Sequence, residues 1–296
     1  MALTRTWRVL IAVGAVLFLV ALLAATYGKI LQLGSGALRV FLENWILGAV
    51  GLYLMVFLAI LVLRYAFLLL YSFMEHIEYT LSDRTAPPPT EKQDRQLPMI
   101  SLVVPAYNEG LVIQPAIRSL LHLDYPNYEI LVVNDGSTDD TYEKALVVAR
   151  ESTTVPVRVI NKRNGGKSDA LNTGMTQARG EFILNMDGDT KLSPNSLRAC
   201  IRHFDNPRIG AVAGNVKVLN RESLWAKIQA VEYIEGLAMA RKAQSYLRSV
   251  VIIPGPLGMF RKTVLQQAGG YDHDTFAEDA DLTLKLLMRG WQIAYE

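Results

Sequence analysis

This chain of 296 residues has little cysteine and a small net charge. There is one cysteine, Cys200, and the formal net charge at pH 7 is only +2. A single cysteine excludes an internal disulfide and suits a reducing compartment, and its apolar surroundings favour a buried hydrophobic role over a nucleophilic one. The small net charge provides no strong field for a nucleic acid, so none is expected as a partner.

Charged residues are missing from two long stretches near the N-terminus. Residues 9–25 contain none, and residues 45–63 are an uncharged apolar run of 19 residues. At ~1.5 Å per helical residue, the second run can cross a hydrocarbon core of ~30 Å. We therefore predict two transmembrane helices, at about 9–27 and 45–71. The competing interpretation of the first run is a cleaved signal peptide, because arginines precede it.

These spans divide the chain into three parts. Residues 1–81 are predicted to form a membrane region, and residues 82–96 are rich in proline and polar side chains. Three consecutive prolines cannot continue a helix, so this segment is predicted to be an extended linker. Two spans return the chain to the side on which it began, and the basic residues around them are too evenly divided to fix the orientation.

The remaining residues, 97–296, alternate short apolar runs with segments of helical periodicity. The runs begin at Ile100, Glu129, Val157, Phe182 and Ile209, and the last is predicted to extend to Val218. This alternation predicts an α/β domain whose mostly parallel sheet has helices on both faces. In such sheets ligands bind beyond the carboxyl ends of the strands, and polar residues follow the first, second and fourth runs at that point.

Two aspartates, Asp187 and Asp189, follow the fourth run and are separated by Gly188. Their side chains can face the same way, and hard carboxylate oxygens suit Mg²⁺ or Mn²⁺. Such a cation neutralises the charge that develops on a departing nucleoside diphosphate. The structural alternative is a turn in which Asp189 begins the next helix.

Polar residues after the first two runs predict the neighbouring walls of the same site. Pro105 opens the segment 105–109, in which Tyr107 offers a ring for a nucleotide base and Glu109 a polar anchor. Asp135 follows the second run and can accept hydrogen bonds from a base or a ribose. Taken singly, each segment is also an ordinary turn.

A glycine-rich loop, residues 164–168, leads into a predicted helix. It differs from a phosphate-binding P-loop because position 161 is asparagine where that motif requires glycine, so a P-loop is rejected. Gly165 and Gly166 are still expected to let the backbone approach a ligand, and Lys167 is expected to contact phosphate.

Three acids, Glu278, Asp279 and Asp281, open the last predicted helix. The helix dipole favours acids at this end, which is a sufficient structural explanation. The functional alternative is that one of them is a general base for a sugar hydroxyl. Sequence spacing alone does not choose among the three.

Taken together, these segments resemble the processive family 2 glycosyltransferases, which include bacterial cellulose, poly-N-acetylglucosamine, chitin-oligosaccharide and hyaluronan synthases. Five motifs occur in the family's order and roughly its spacing over about 175 residues. They are PAYNE at 105–109, NDGSTDDT at 134–141, NGGKSDALN at 164–172, DGD at 187–189 and AED at 277–279.

The resemblance implies a GT-A fold with a Rossmann-like sheet, and an inverting single displacement on a UDP-sugar. It also assigns roles by position: Asp135 to the nucleoside, Asp187 to the donor, Asp189 to Mg²⁺ or Mn²⁺, Asp279 to the catalytic base, and Glu278 to support of that loop. One departure lies beside the base, where Ala277 replaces the family's usual threonine.

A second departure concerns the C-terminal part of the family pattern. The family continues to a Q-x-x-R-W motif and further membrane helices, whereas this sequence contains no Q-x-x-R-W. The domain 97–296 is therefore expected to be C-terminally incomplete, and partner membrane subunits are possible. A chain of this length is expected to fold poorly or to bind donor without processive synthesis.

The leading hypothesis is a multi-pass protein of the plasma (inner) membrane with a cytoplasmic catalytic domain. It would extend a polysaccharide from a UDP-sugar, in contact with membrane lipid. The first alternative is transfer of one sugar to a membrane lipid, giving a glycolipid. The second is a catalytically silent nucleotide-sugar-binding membrane protein.

Overall fold

The computed structural model describes residues 28, 35–85, 97–219, 222–248, 250–275 and 277–296. The first predicted transmembrane helix, at about 9–27, lies outside the described residues. So do residues 86–96, which are most of the predicted linker.

The second predicted span is part of a longer helix. Helix α1, Ser35–Thr85, contains 51 residues. Its stretch Gly36–Glu78 is apolar enough to cross a membrane, since its mean hydropathy is 2.8 and its apolar part is not buried by the rest of the protein. It is the one such helix among the described residues. The helix continues past the predicted end of the span near residue 71 and past the predicted linker start at 82, because residues 72–85 contain neither proline nor glycine to stop it.

The domain that follows contains a seven-stranded sheet. Its strands are β1 (Ile100–Ala106), β2 (Tyr128–Asp135), β3 (Val157–Lys162), β4 (Phe182–Asn185), β5 (Ile209–Ala213), β6 (Gly258–Arg261) and β7 (Gln292–Tyr295). The order across the sheet is β3-β2-β1-β4-β6-β5-β7. Strand β6 is antiparallel to its neighbours β4 and β5, while the other described pairs are parallel. The predicted mostly parallel sheet is confirmed.

Helices cover both faces of this sheet. They are α2 (Ile113–Leu120), α3 (Thr141–Glu151), α4 (Lys167–Gln177), α5 (Ser196–Arg202), α6 (Leu224–Glu232), α7 (Ala240–Tyr246), α8 (Lys262–Ala268) and α9 (Glu278–Met288). A 3₁₀ turn, His203–Asp205, follows α5, and a π-helical segment, Tyr233–Met239, joins α6 to α7.

Alternate residues of each central strand enter two different cores. On β1, Leu102 packs in the core that contains Ile113 and Ile117 of α2, while Val103 packs in the core that contains Leu171 of α4. Burial on both faces explains why these strands are continuous apolar runs in the sequence. Cys200 lies in the first core, as predicted, and burial raises the pKa of its thiol to about 12.

The register of the sheet brings the carboxyl ends of the central strands to one edge. Ile100 at the start of β1 lies opposite both Tyr128 and Phe182, so β1, β2 and β4 begin level with one another. Their carboxyl ends consequently open on the same side of the domain. The polar residues that follow them in sequence are thereby gathered at a single edge.

The opposite edge is fastened by a buried ion pair. Glu129 of β2 is fully buried and accepts hydrogen bonds from Ser101 Oγ (2.7 Å), the Arg179 amide (2.8 Å) and Arg158 Nη2 (2.9 Å). These three donors and the positive charge of Arg158 compensate the buried charge of the Glu129 carboxylate. This cluster ties β1, β2 and β3 to the connection between α4 and β4.

One predicted strand is too long, because β5 ends at Ala213 and not near residue 218. The amide of Gly214 donates to the carbonyl of Leu257 (2.9 Å), and that of Asn215 donates to the carbonyl of Glu296 (2.8 Å). A side chain at Gly214 would also overlap Leu257. These two bonds continue the pairing of β5 with the segments next to β6 and β7 as far as Asn215.

Gly174 of α4 is expected to be intolerant of alanine. A Cβ at this position would overlap the side chain of Val103 on β1. Overpacking of a core costs about 1–3 kcal/mol, which exceeds the ~1 kcal/mol that alanine gains in helix propensity. Gly174→Ala should lower the thermal unfolding temperature of the detergent-solubilised chain.

Gly236→Ala is the matched control, because no atom lies within 4 Å of a Cβ there. That variant should be neutral or slightly stabilised. Equal unfolding temperatures for the two variants would contradict the packing of α4 on β1.

Candidate functional site

A cleft of about 530 Å³ opens at the carboxyl ends of β1, β2 and β4. Its lining residues come from four separated segments of chain. They are Pro105, Ala106, Tyr107, Glu109, Asp135, Asn164, Gly166, Lys167, Ala170, Asp187, Gly188 and Asp189. The structure therefore brings together all the residues that the sequence predicted for donor and metal binding except Glu278, which lies beside the cleft.

Asp135, at the end of β2, organises the glycine-rich loop. Its carboxylate accepts hydrogen bonds from Lys162 Nζ (2.6 Å) and from the amides of Gly165 (3.0 Å) and Gly166 (2.7 Å). Burial alone would lower the pKa of Lys162, but the hydrogen bonds to Asp135 and Asp169 raise it overall. The loop amides therefore have a partner within the chain.

Asp135 still has capacity for a ligand. A carboxylate offers about four lone-pair sites, and three are used by the bonds just described. The fourth can accept one further donor at the wall of the cleft. Gly166 adopts φ = 88°, a conformation that glycine tolerates without strain, and this turn directs Lys167 into the cleft.

The loop after β1 is clamped to the loop after β2. Asn108, at φ = 54°, donates its amide to Ser137 Oγ (3.0 Å) and accepts from the Thr138 amide (2.9 Å). The amide of Gly110 donates to Asp139 Oδ2 (3.0 Å). These contacts fix the wall that carries Tyr107, whose ring is 50% exposed and available for stacking.

Negative charge is concentrated on one side of the cleft. The pKa of Glu109 is raised by burial and by the nearby carboxylates of Asp189, Asp139 and Asp187. Gly188, the residue between the two aspartates, packs closely against the segment after β1. A Cβ at this position would lie 3.2 Å from the Pro105 carbonyl oxygen. The glycine thus lets the Asp187–Asp189 turn approach the segment that carries Glu109.

These carboxylates suit a divalent cation that is shared with a ligand. Asp189 is exposed and forms no ion pair with any described residue. No group of three His, Cys, Asp or Glu side chains in the described parts of the chain is arranged to hold a metal. Mg²⁺ is commonly bound through one or two carboxylates together with substrate phosphates, so Asp187 and Asp189 fit such an ion only as part of a phosphate complex.

Lys167, the first residue of α4, connects the cleft to the start of α9. Its Nζ lies 2.7 Å from Asp187 Oδ1 and 3.5 Å from Glu278 Oε1. Burial would lower the pKa of Lys167, but Asp187, Asp279 and Glu278 raise it overall. The ammonium group therefore remains charged among three acids.

Asp279 lies next to this ammonium group in a partly dehydrated position. Burial raises the pKa of Asp279 to about 6; Lys167 opposes this rise, and Glu278 and Asp187 add to it. A Cβ at Gly255 would lie 2.6 Å from Asp279 Oδ2 and 3.1 Å from Lys167 Nζ, so the two groups flank one point. Asp279 thus combines a cationic neighbour with the basicity of a general base.

The structure distinguishes the three acids of α9, which sequence spacing could not. Glu278 pairs with Lys167, and Asp281 pairs with Lys285 at 2.7 Å. Asp279 is the member whose carboxyl group has a strongly raised pKa. The environment therefore favours Asp279 as the base.

Two residues behind Asp279 were missed by sequence reasoning. Asn185 donates from Nδ2 to the hydroxyl of buried Tyr271 (2.8 Å), and both lie close to Asp279. The side chain of Asn172 holds the backbone of Tyr271 in turn, because its Nδ2 donates to the Tyr271 carbonyl (2.8 Å) and its Oδ1 accepts from the Tyr271 amide (2.9 Å). An amide side chain at the last position of a buried strand, just before Asp187, was the available signal.

Comparison with known proteins adds independent information. The family model described as Glycosyl transferase family 2 matches residues 101–269. The poly-beta-1,6-N-acetyl-D-glucosamine synthase of Staphylococcus epidermidis is 32% identical over 208 residues, covering 70% of this chain and 50% of that protein. The synthase of the same name from Staphylococcus aureus (strain COL) is 31% identical over 227 residues, covering 76% and 53%. The chain spans about half the length of the curated relatives it matches.

Two solved structures with a similar fold are the following. The mannosyltransferase PcManGT from Pyrobaculum calidifontis, solved with GDP-Man and Mn²⁺, aligns with a TM-score of 0.59 and 24% identity over 78% of this chain and 64% of that one. S. aureus TarS 1-349 aligns with a TM-score of 0.52 and 22% identity, covering 67% and 58%. At these identities the likeness concerns the fold, which is the GT-A-like mixed sheet that the resemblance implied.

The raised pKa of Asp279 predicts a pH-dependent effect of its removal on stability. The folded pKa, about 6, lies above the unfolded value of roughly 3.9, so the native state loses stability as pH rises between the two values. Asp279→Asn abolishes this loss. Its unfolding temperature should therefore rise relative to the wild type between pH 4 and pH 7, as measured by differential scanning fluorimetry.

Asp274→Asn, which removes a charge from an exposed loop, is the control. A difference between Asp279→Asn and the wild type that stayed constant or shrank over this pH range would contradict the buried position of Asp279.

Proposed function

We propose that this chain, which belongs to glycosyl transferase family 2, is a membrane-bound enzyme that transfers a sugar from a UDP-sugar to a growing polysaccharide with inversion. The observation that carries the proposal is the convergence of acids from distant segments around Lys167, with Asp187 on one side and Glu278 on the other. The similarity to poly-beta-1,6-N-acetyl-D-glucosamine synthases supports a polysaccharide product.

The cleft residues would divide the donor between them. Tyr107 stacks on the base, Asp135 accepts a hydrogen bond from the nucleoside through its remaining lone pair, and Lys167 exchanges part of its contact with Asp187 for the diphosphate. Asp187 and Asp189 would hold Mg²⁺ or Mn²⁺ together with the phosphate oxygens. When bound, the cation neutralises the negative charge of the departing UDP. Binding of GDP-Man and Mn²⁺ by PcManGT supports this assignment.

Asp279 would then act on the acceptor. An acceptor hydroxyl oxygen attacks the anomeric carbon as its proton passes to the Asp279 carboxylate. The bond between that carbon and the UDP oxygen breaks, and UDP leaves with the electron pair. Attack from the face opposite the leaving group inverts the configuration. With a pKa of about 6, Asp279 is ionised at neutral pH and is a stronger base than an ordinary aspartate.

The membrane attachment in this proposal is supported by α1. Its stretch Gly36–Glu78 is long and apolar enough for one span. A second span at about 9–27, location in the plasma (inner) membrane and a cytoplasmic catalytic domain belong to the same proposal. An even number of spans would keep both ends of the chain on the side where the UDP-sugar is bound.

A donor screen on the chain reconstituted in lipid vesicles tests the proposed reaction. UDP release from one UDP-sugar, with a ladder of products, is the expected result. A single glycolipid would favour the alternative of one transfer to a membrane lipid. UDP binding without release from any donor, in the presence of Mg²⁺ or Mn²⁺, would favour the silent binding protein.

Asp279→Asn is expected to leave donor binding nearly unchanged but to abolish transfer, because an amide cannot accept the proton. General base catalysis contributes roughly 10²–10⁴-fold, so residual transfer should fall by at least that range. UDP-sugar affinity and product formation are measured on the same preparation. Asp281→Asn is the matched control on the same helix and should retain transfer; the base assignment is wrong if the two variants lose transfer equally.

Asp189→Ala is expected to remove the metal-dependent part of UDP binding. Titration calorimetry with Mn²⁺ should give this variant the weaker affinity that the wild type shows in EDTA, since both then lack the shared cation. In EDTA the two proteins should bind UDP alike. Unchanged affinity of the variant in Mn²⁺ would refute the metal role of Asp189.

A further inference from the structure

The segment α6 and the turn after it carry large apolar side chains that the domain leaves uncovered. Leu224, Trp225, Ile228, Val231 and Ile234 expose between 50% and 78% of their surface. Contiguous exposed apolar surface of this kind marks a contact with a protein or a membrane. None of these residues lines the cleft, so the candidate site does not explain them.

The orientation of α6 is the reverse of an ordinary surface helix. At 100° per residue, Leu224, Ile228 and Val231 share one face, which points outward. The opposite face carries Ala226 and Ala230, of which Ala230 is buried against the domain. An ordinary surface helix turns its large apolar side chains toward the core, whereas here small residues face inward.

The same helical run meets the end of the apolar helix. The ring of Tyr246 in α7 stacks on Tyr71 of α1, with centroids 5.8 Å apart, and Ser245 Oγ donates to Glu75 Oε1 at 3.1 Å. Tyr71 and Glu75 belong to the last turns of the candidate span Gly36–Glu78. The C-terminal end of the run from α6 to α7 therefore contacts α1 near the level at which α1 would leave the hydrocarbon.

We propose that α6 is an interfacial helix that lies in the plane of the bilayer surface, with its apolar face among the lipid acyl chains. Trp225 suits this level, because tryptophan is enriched at membrane interfaces. Lys227 and Glu232 flank the apolar face and carry opposite charges. Burial of apolar surface, and not attraction to anionic headgroups, is therefore the driving force, and uncharged phosphatidylcholine is a sufficient partner.

This contact would hold the transfer site near the membrane surface. Arg241 of α7 is buried. Burial lowers the pKa of its guanidinium group, and the charge of Asp279 opposes part of that shift. The helical run that would rest on lipid thus also reaches the neighbourhood of the proposed base. The inference rests on the membrane attachment proposed above, but not on the chemistry of transfer.

Spin labels on the full chain test the placement. Single cysteines are introduced as Ile228→Cys on the apolar face, Gln229→Cys on the adjacent polar face and Leu58→Cys within α1, in a Cys200→Ala background. The chains are reconstituted in phosphatidylcholine vesicles. Collision rates with O₂, which concentrates in lipid, and with a water-soluble nickel chelate then give the depth of each label.

The label at 228 is expected about 5–10 Å below the headgroups, the label at 229 in water, and the label at 58 deeper than either. Nickel access at 228 equal to that at 229 would overturn the proposal, and so would exclusion of both reagents, which indicates cover by protein. If only the label at 58 is in lipid, the interfacial helix fails while the membrane attachment stands.

A second measurement needs no label. The background is Trp7→Phe with Trp45→Phe, which removes the tryptophans at the two predicted spans and leaves Trp225 and Trp291. Brominated phosphatidylcholine should quench the fluorescence of this protein more than that of the same protein with Trp225→Phe, because Trp225 would be the tryptophan in contact with lipid. Equal fractional quenching of the two proteins would also overturn the proposal.

Discussion

The ammonium group of Lys167 is the point on which the candidate site depends. It lies between Asp187, at the end of β4, and Glu278, at the start of α9, and so joins carboxylates that would otherwise repel one another. The position of Lys167 is fixed in turn by the glycine-rich loop that precedes it. Asp135 holds the amides of Gly165 and Gly166, and this loop delivers Lys167 to the cleft. The proposed donor site and the proposed base are thus parts of one connected network.

Different environments give chemically similar acids different tasks. Asp189 is exposed beside Glu109 and is available to a cation, whereas Asp279 is shielded and has a pKa of about 6. This difference in burial suits one carboxylate to bind a cation and the other to act as a base. Gly255 leaves room for both groups, because a Cβ there would overlap Asp279 and crowd Lys167.

The central fold could be predicted because its strands are buried on both faces. Each of β1, β2 and β4 is visible as a short apolar run, and the polar residues after them were correctly expected to share one edge. The motif order then indicated the family. Strand β6, Gly258–Arg261, was missed because four residues that begin with glycine and end with arginine give neither alternation nor a sustained apolar run.

Details of the site could not be predicted because they depend on pairs far apart in sequence. Spacing gave no reason to separate Asp279 from Glu278 and Asp281, since the difference lies in contacts with Lys167, Gly255 and Lys285. Sequence reasoning also treated the amides of Gly165 and Gly166 as free to approach a ligand. It could not foresee that Asp135, about thirty residues earlier, would bind them.

The pH dependence of kcat/KM in Lys167→Met tests most directly whether this lysine and Asp279 share one site. The wild-type profile should rise through an inflection near pH 6 as Asp279 loses its proton. Lys167 lowers the pKa of Asp279, so its replacement by an uncharged side chain should move that inflection to higher pH. An inflection that stays in place, or moves to lower pH, would contradict the account.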